Sequence, residues 1–309
     1  MNNTTDQGGG AIYSSDYYGG RVVIENSIFA GNKAVAGAGG AICSDGHMTI
    51  RATSLFDNRG GVGGAVFCSS NSPMWLINCT LSGNNSTGNG GAIADASASV
   101  VEIDSCTIYS NTAAGGGGIA DGGGVISIRN SIVAGNDAPT APDCGGNINS
   151  NDYNLIQNTA GCTIMGATAH NIYGEDPKLG PLADNGGPTL THALRFDSPA
   201  LDAGNGSGLP TDQRGFARPI DTPDVANAEG GDSSDIGAYE VNPSTQLAIY
   251  TAVEVEFGTV LGRTYRVESS TDMVTWSQVE AGIVGTGGPL TRLYTTRAIP
   301  KRFFQAVQE

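Results

Sequence analysis

Two aspartates are the first residues whose type and spacing could do chemistry. Two positions after the Ile or Val of a recurring Gly-Gly-Ala-Ile/Val element stand Ser14, Ser44, Cys68, Asp95 and Asp121. If successive elements stack, Asp95 and Asp121 lie one layer apart on an outer face. Like charges that close raise one carboxyl pKa or attract a cation. Oxygen donors of this kind suit calcium, and paired carboxylates also serve glycoside cleavage. No Lys or Arg shares the neighbouring columns in those layers, and Asp is ordinary at turns. The pair is therefore a candidate binding or calcium site, and no catalytic residue is assigned. Tyr17, Tyr18 and Trp75 could stack on sugar rings. Phe67, Trp75 and Ile77 fall in one repeat at outward positions, where a cluster marks either a contact face or the seat of a side loop.

The remaining reactive side chains say less. His47, His170 and His192 share no spacing that suits a metal or a triad. The glycine runs lack the strand-then-helix setting of a phosphate loop, so they read as turns. Of six cysteines, Cys144 and Cys162 bracket a poorly repeating stretch and are expected to be bonded in an oxidising compartment. Closing that loop contributes about 3 kcal/mol. Cys79 and Cys106 share a column in adjacent repeats and suit a reduced sulfur stack or a disulfide, with the reduced stack preferred. The pairing of Cys43 and Cys68 stays open.

These residues ride on a repeat. Asn32, Asn58, Asn84, Asn111 and Asn136 recur about every 26 residues, the signature of a solenoid. Ten before each stand Val22, Met48, Met74, Val101 and Ile126; eight before, Ile24, Ile50, Leu76, Ile103 and Ile128; three before, Phe29, Leu55, Leu81, Ile108 and Val133. All are apolar, and the residues between the first two columns are mostly polar. That is period-two alternation, so each unit carries a half-buried strand. One unit cannot bury its apolar face alone, but stacked units join their columns into ladders. Gly-Gly supplies turns with positive φ. The recurring Asn suits a left-handed corner and an amide ladder. Ser27, Thr53, Cys79, Cys106 and Ser131 form a small-residue column at a tight corner. Glu25 should stack on Arg51, and Asp104 on Arg129. The expected fold is all-β: a parallel β-helix, right-handed by analogy with βαβ crossovers.

The chain divides into three by composition. Residues 1–170 carry the repeats. Residues 171–242 are rich in proline turns and read as irregular terminal coils that cap the solenoid, fixed by a charge network of Asp212, Arg214, Arg218 and Asp235. After a linker, residues 247–309 show antiparallel alternation and read as a small β-sandwich with Trp276 as a core anchor. A net charge of −15 with three lysines among 309 residues argues against nucleic acid and anionic membranes. No apolar run approaches a membrane span. Low Lys, abundant Asn, Thr and Gly, and six cysteines suit secretion or a cell-surface location, with a start cut from a longer precursor.

The Gly-Gly-Ala-Ile units closing in Ser-Gly-Asn or Ala-Gly-Asn resemble the polymorphic-outer-membrane-protein type of bacterial repeat. That resemblance implies a right-handed parallel β-helix of surface proteins, often adhesive or autotransported. Asp143-Cys144, Tyr153-Asn154-Leu155-Ile156, Gly161-Cys162, Asp176-Pro177-Lys178-Leu179, Asp184-Asn185-Gly186-Gly187-Pro188-Thr189, Asp212-Gln213-Arg214-Gly215 and Asp235-Ile236-Gly237-Ala238-Tyr239-Glu240 resemble a choice-of-anchor Q domain, matching from about residue 144. Thr264 to Trp276 resembles a sandwich at the ends of secreted planctomycete and verrucomicrobial proteins. None of these implies a reaction. The expected function is a secreted bacterial structural or adhesive surface protein. It would self-assemble head to tail into an extracellular filament, Phe303 and Phe304 docking on the next subunit. The alternative is a β-helix that binds or cleaves polysaccharide. Expected partners are a second copy or a surface polysaccharide, with calcium the one cofactor considered.

Overall fold

The computed structural model describes residues 1–15, 20–69, 73–96, 98–223, 225–243, 252–295 and 303–308. Tyr17 and Tyr18 lie outside them. Two compact units are present, Met1–Pro243 and Ser244–Glu309.

The first unit is a parallel β-solenoid of three walls. A typical coil runs Ile42–Ser44 on the first wall, His47–Arg51 on the second and Ser54–Phe56 on the third, then touches its neighbours through Arg59–Gly60. The third wall stacks seven strands, from Ile28–Ala30 to Ile172–Tyr173. Register is one to one along the second wall, where Ile24, Ile50, Leu76, Ile103 and Ile128 are successive Cα partners. Ile50 and Leu76 are fully buried there, with Ile42 and Ile93 from the first wall and Leu55, Leu81 and Ile108 from the third. The alternation in sequence is thus alternation across a wall.

The closing asparagines form the expected amide ladder. Each backbone N–H and side-chain Nδ2 donates to the next Oδ1, from Asn32 through Asn58, Asn84 and Asn111 to Asn136, at 2.8–3.0 Å. Asn136 donates in turn to Asp143 Oδ1, at 3.1 and 2.9 Å. The asparagines are not the left-handed residues, however. Positive φ falls one position earlier, at Gly31, Asp57, Gly83, Ser110 and Gly135, and again at Asn26, Ala52, Asn78, Ser105 and Asn130. The ladder needs the amide aimed along the axis, and the neighbouring residue makes the bend. The small-residue column also bonds along the axis: Ser27 N–H reaches Thr53 Oγ1, and Cys106 N–H reaches Ser131 Oγ. Cys79 and Cys106 are both free and buried within it, and Cys144–Cys162 is a disulfide.

Residues beyond the last coil do not sit over the solenoid's end. They run back along the outside of the third wall. Leu194, Ala200, Leu201, Ile236, Tyr239 and Val241 pack on the outward side chains Ile132, Ala134 and Leu155. Earlier coils present hydroxyls in the same outward column, and these bond the strap: Ser54 Oγ donates to Leu190 O at 2.5 Å, Thr80 Oγ1 to Gln213 Oε1 at 2.6 Å, and Thr107 Oγ1 accepts from Ala238 N–H at 3.1 Å. From Ser54 through Thr80, Thr107 and Ile132 to Leu155 the outward column of the third wall is therefore buried as well, whereas the strand Cys162–Ala167 that ends the second wall is half-buried to exposed.

The second unit is antiparallel. Ala252–Gly258 pairs with Pro289–Thr295, and Thr264–Ser270 lies between Ser277–Val284 and Phe303–Gln308. Its buried core is Tyr265, Val267 and Ile283. Trp276 is only half-buried, because it lies between the turn and the next strand; Tyr265 is the anchor.

Candidate functional site

Strand parity decides where the two aspartates point. Ile93 faces the core, so Asp95, two residues on, faces inward too. It is buried, accepting from Ser99 Oγ at 2.7 Å and from Gly122 N–H at 2.6 Å. Burial raises its pKa, and Asp121 adds a smaller upward push that the two hydrogen bonds oppose. Asp121 stands one coil on and accepts from Gly123 N–H and Asn147 N–H, at 2.8 and 3.0 Å. The pair stacks as the columns predict, but it braces the corner between walls and does not form an outer carboxylate face. Among the described residues no three His, Cys, Asp or Glu side chains group to hold a metal ion.

The aromatic candidates separate. Phe67 stands on the first wall, Trp75 and Ile77 on the second. On the second wall's outer face the Trp75 Nε1–H donates to Glu102 Oε2 at 3.0 Å, and the Arg21 guanidinium lies over the indole, 5.9 Å from its centroid. Arg21, Thr49, Arg51, Trp75 and Ile77 line a shallow groove of about 200 Å³. The expected charge stacks are both in register, but only Asp104 and Arg129 form an ion pair. Phe303 and Phe304 begin the strand Phe303–Gln308, and the Phe304 ring stacks on Tyr294 at 5.2 Å.

The four charged residues of the strap are brought together, with Glu240 as the partner that the sequence did not single out. Asp212 accepts from Arg214 Nε at 2.8 Å. Arg214 lies over the Tyr239 ring, 3.6 Å from its centroid, and donates to Glu240 O. Arg218 Nε meets Glu240 Oε2 at 2.8 Å with both side chains fully buried, and its other nitrogens reach Gly237 O and Asn78 Oδ1. Asp235 contacts neither arginine; it accepts from Asp202 N–H and Val241 N–H. Burial, then the Glu240 charge, pushes its pKa well up. The signal for Glu240 was its place at the end of Asp235-Ile236-Gly237-Ala238-Tyr239-Glu240.

His192 is another residue the spacing did not mark. It is buried between strap and third wall, with Nε2 2.9 Å from Ser82 Oγ and Nδ1 2.8 Å from Gly180 O. Burial depresses its pKa, more than the Gly180 carbonyl raises it. The unfolded chain therefore binds this proton more readily than the folded one. The stability tied to neutral His192 is full above about pH 6.5 and is lost as pH falls toward the folded value. Wild-type protein should lose more urea stability than His192→Gln between pH 7 and pH 5; equal losses would remove the assignment. The difference isolates His192 from Asp235 and Glu240, whose raised pKa values act with the opposite sign.

The model of the Chlamydia polymorphic membrane protein repeat matches residues 1–15 and 26–45. No curated protein matches the chain, and no solved structure does. The matched segments are the first coil without its second-wall strand Arg21–Glu25 and the start of the second coil, and later coils pair with these in register. Similarity to that repeat, joined to the parallel solenoid, points to a β-helix of the bacterial surface-protein or autotransporter-like kind. Among the described residues no helix is long and apolar enough to cross a membrane.

Proposed function

We propose that the chain is an extracellular scaffold of a bacterial surface protein, a strapped β-solenoid that presents its outer faces for adhesion. The unbroken parallel register along the second wall carries this reading. A stack bonded by backbone along its whole axis is stiff, and each coil adds outward positions whose side chains do not alter the core. The ladder of buried asparagines fixes that register independently of what the surface displays. The repeat match supports the bacterial surface setting. The choice-of-anchor resemblance of residues 144–240 belongs to the same reading, as the segment that supplies the last coils and the strap along the third wall.

Proteinase K on intact cells of the source organism tests the location. The epitopes of residues 1–243 should be lost without lysis; protection until the cells are opened rejects a surface scaffold. Self-association is the finer form of the proposal. It is favoured by the half-buried to exposed final strand Cys162–Ala167, whose one ladder partner among the described residues is Cys144–Asn151. A bare edge of that kind accepts another strand. Sedimentation that stays monomeric across a wide concentration range would remove this form and leave the scaffold.

A further inference from the structure

We infer that the outer face of the second wall, over its first three coils, is a binding site for an anionic sugar, such as a uronate or sulfated ring within a glycan. Three successive strands build it. Arg21 comes from the first, Thr49 and Arg51 from the second, Trp75 and Ile77 from the third. Their parallel register sets the spacing at roughly 4.8 Å per coil, so the groove from Arg21 to Trp75 is about the length of one or two sugar rings. The side chains stand on a rigid wall whose opposite face is fully buried Met48, Ile50, Met74 and Leu76.

Each group supplies one part of the recognition. Trp75 offers an aromatic surface for the C–H face of a pyranose. Its indole edge is already held by Glu102, so little side-chain freedom is lost on binding. Arg21 and Arg51 are exposed, and neither makes an ion pair among the described residues, although Glu25 is the register partner of Arg51. A guanidinium presents a planar fork that matches carboxylate or sulfate oxygens. The chain has 15 Lys and Arg against 30 Asp and Glu, so two arginines without an ion pair on one groove stand out from the rest of the surface, even with Glu25 and Glu102 at its edges. A neutral sugar would use the indole and leave both forks idle. Thr49 lines the groove between the two arginines and Trp75.

The test titrates the full chain with four probes: a short oligogalacturonide, a heparin-type sulfated oligosaccharide, a neutral cello-oligosaccharide and an acidic peptide of similar charge. The Trp276→Phe variant, on the other unit, makes Trp75 the sole tryptophan reporter. A charged oligosaccharide should shift Trp75 emission with saturation, and added salt should weaken binding. Arg21→Ala and Arg51→Ala should each reduce affinity by about tenfold, and Trp75→Ala should abolish it in calorimetry. These exposed or half-exposed positions leave the thermal transition nearly unchanged, so loss of binding is not loss of fold. The two charged-sugar arms tell carboxylate from sulfate, and either supports the site. Equal binding of the neutral sugar or the acidic peptide, unchanged binding in the arginine variants, or no binding to either charged sugar overturns it. The surface location tested above is a separate matter and can fail alone.

Discussion

Replacing Arg218 by Met lowers the stability of the first unit by about 3–5 kcal/mol, the usual cost of stranding one member of a buried ion pair. The reason lies in what stays behind. The Glu240 carboxylate keeps N–H donors from Ile220 and Asp235 at 2.7 and 3.1 Å but loses the guanidinium that pairs with it. Asp235 is nearby and already pushed toward the neutral form, by its burial first and then by the Glu240 charge. Without Arg218 the two carboxyls compete for protons in a dry site, and Asn78 Oδ1 and Gly237 O lose a donor as well. Arg218→Met combined with Glu240→Gln should recover part of the loss, because the stranded charge is removed while most of the side-chain volume stays. Urea unfolding of the single and the double variant beside the wild type measures both effects. Hydrogen exchange should show the third wall opening first, since the strap that Arg218 anchors covers its outer face. A single-variant loss below about 1 kcal/mol would mean that the network is ornamental and that apolar packing on Ile132 and Leu155 holds the strap unaided.

How much of this was legible follows from where the repeat is strict. Ile24, Ile50, Leu76, Ile103 and Ile128 could be aligned by counting back from five asparagines, because backbone pairing between coils forces like positions to meet. The same counting placed Asp95 over Cys68, and it stacks there. It did not say which side of the wall they occupy. Parity answers that: Asp95 shares the face of Ile93, which is core, so a carboxylate that reads as surface chemistry is a corner brace. The left-handed residues were misplaced by one position for a related reason. Gly31, Asp57, Gly83, Ser110 and Gly135 differ in type, so the column that bends is less uniform in sequence than the column that hydrogen-bonds. The strap lay beyond the repeat altogether. Its route is written in the outward column Ser54, Thr80, Thr107, Ile132 and Leu155, which changes from hydroxyl to apolar as its partners change from Leu190 and Gln213 to Ile236 and Tyr239. Nothing in the order of those prolines and aspartates states that the chain doubles back; only the partner wall does. The Arg21–Trp75 groove was half visible, since Trp75 read as an outward aromatic, while Arg21 belongs to a coil two repeats earlier.

Asn84→Ala should be as damaging as losing the buried arginine, although it removes one small polar group. Asn84 Oδ1 accepts from both Asn58 N–H and Asn58 Nδ2, and its Nδ2 donates to Leu55 O and Asn111 Oδ1 at 2.9 Å each. The side chain is fully buried. Alanine leaves two donors of Asn58 and the Leu55 carbonyl with no water to turn to. At about 1–3 kcal/mol for each unsatisfied buried group, the loss should be on the order of 3–5 kcal/mol. Asn84→Asp separates hydrogen bonding from volume. A carboxylate can still accept from Asn58, but it offers no donor to Leu55 O and turns an acceptor toward Asn111 Oδ1. It should therefore cost at least as much as alanine at neutral pH. The ladder's own end shows why. Asp143 accepts from Asn136 on one side and from Asn158 N–H on the other, at 2.7 Å, so a residue without donors fits there and an amide does not. Asp143→Asn would set an Nδ2 against the Asn158 N–H and should destabilise, in a direction opposite to what charge removal from a buried site otherwise predicts. Urea midpoints for Asn84→Ala, Asn84→Asp and Asp143→Asn decide the matter. If Asn84→Asp is tolerated, or Asp143→Asn stabilises, then the amides do not act as a directional chain, and register would have to be held by the apolar columns and the backbone alone.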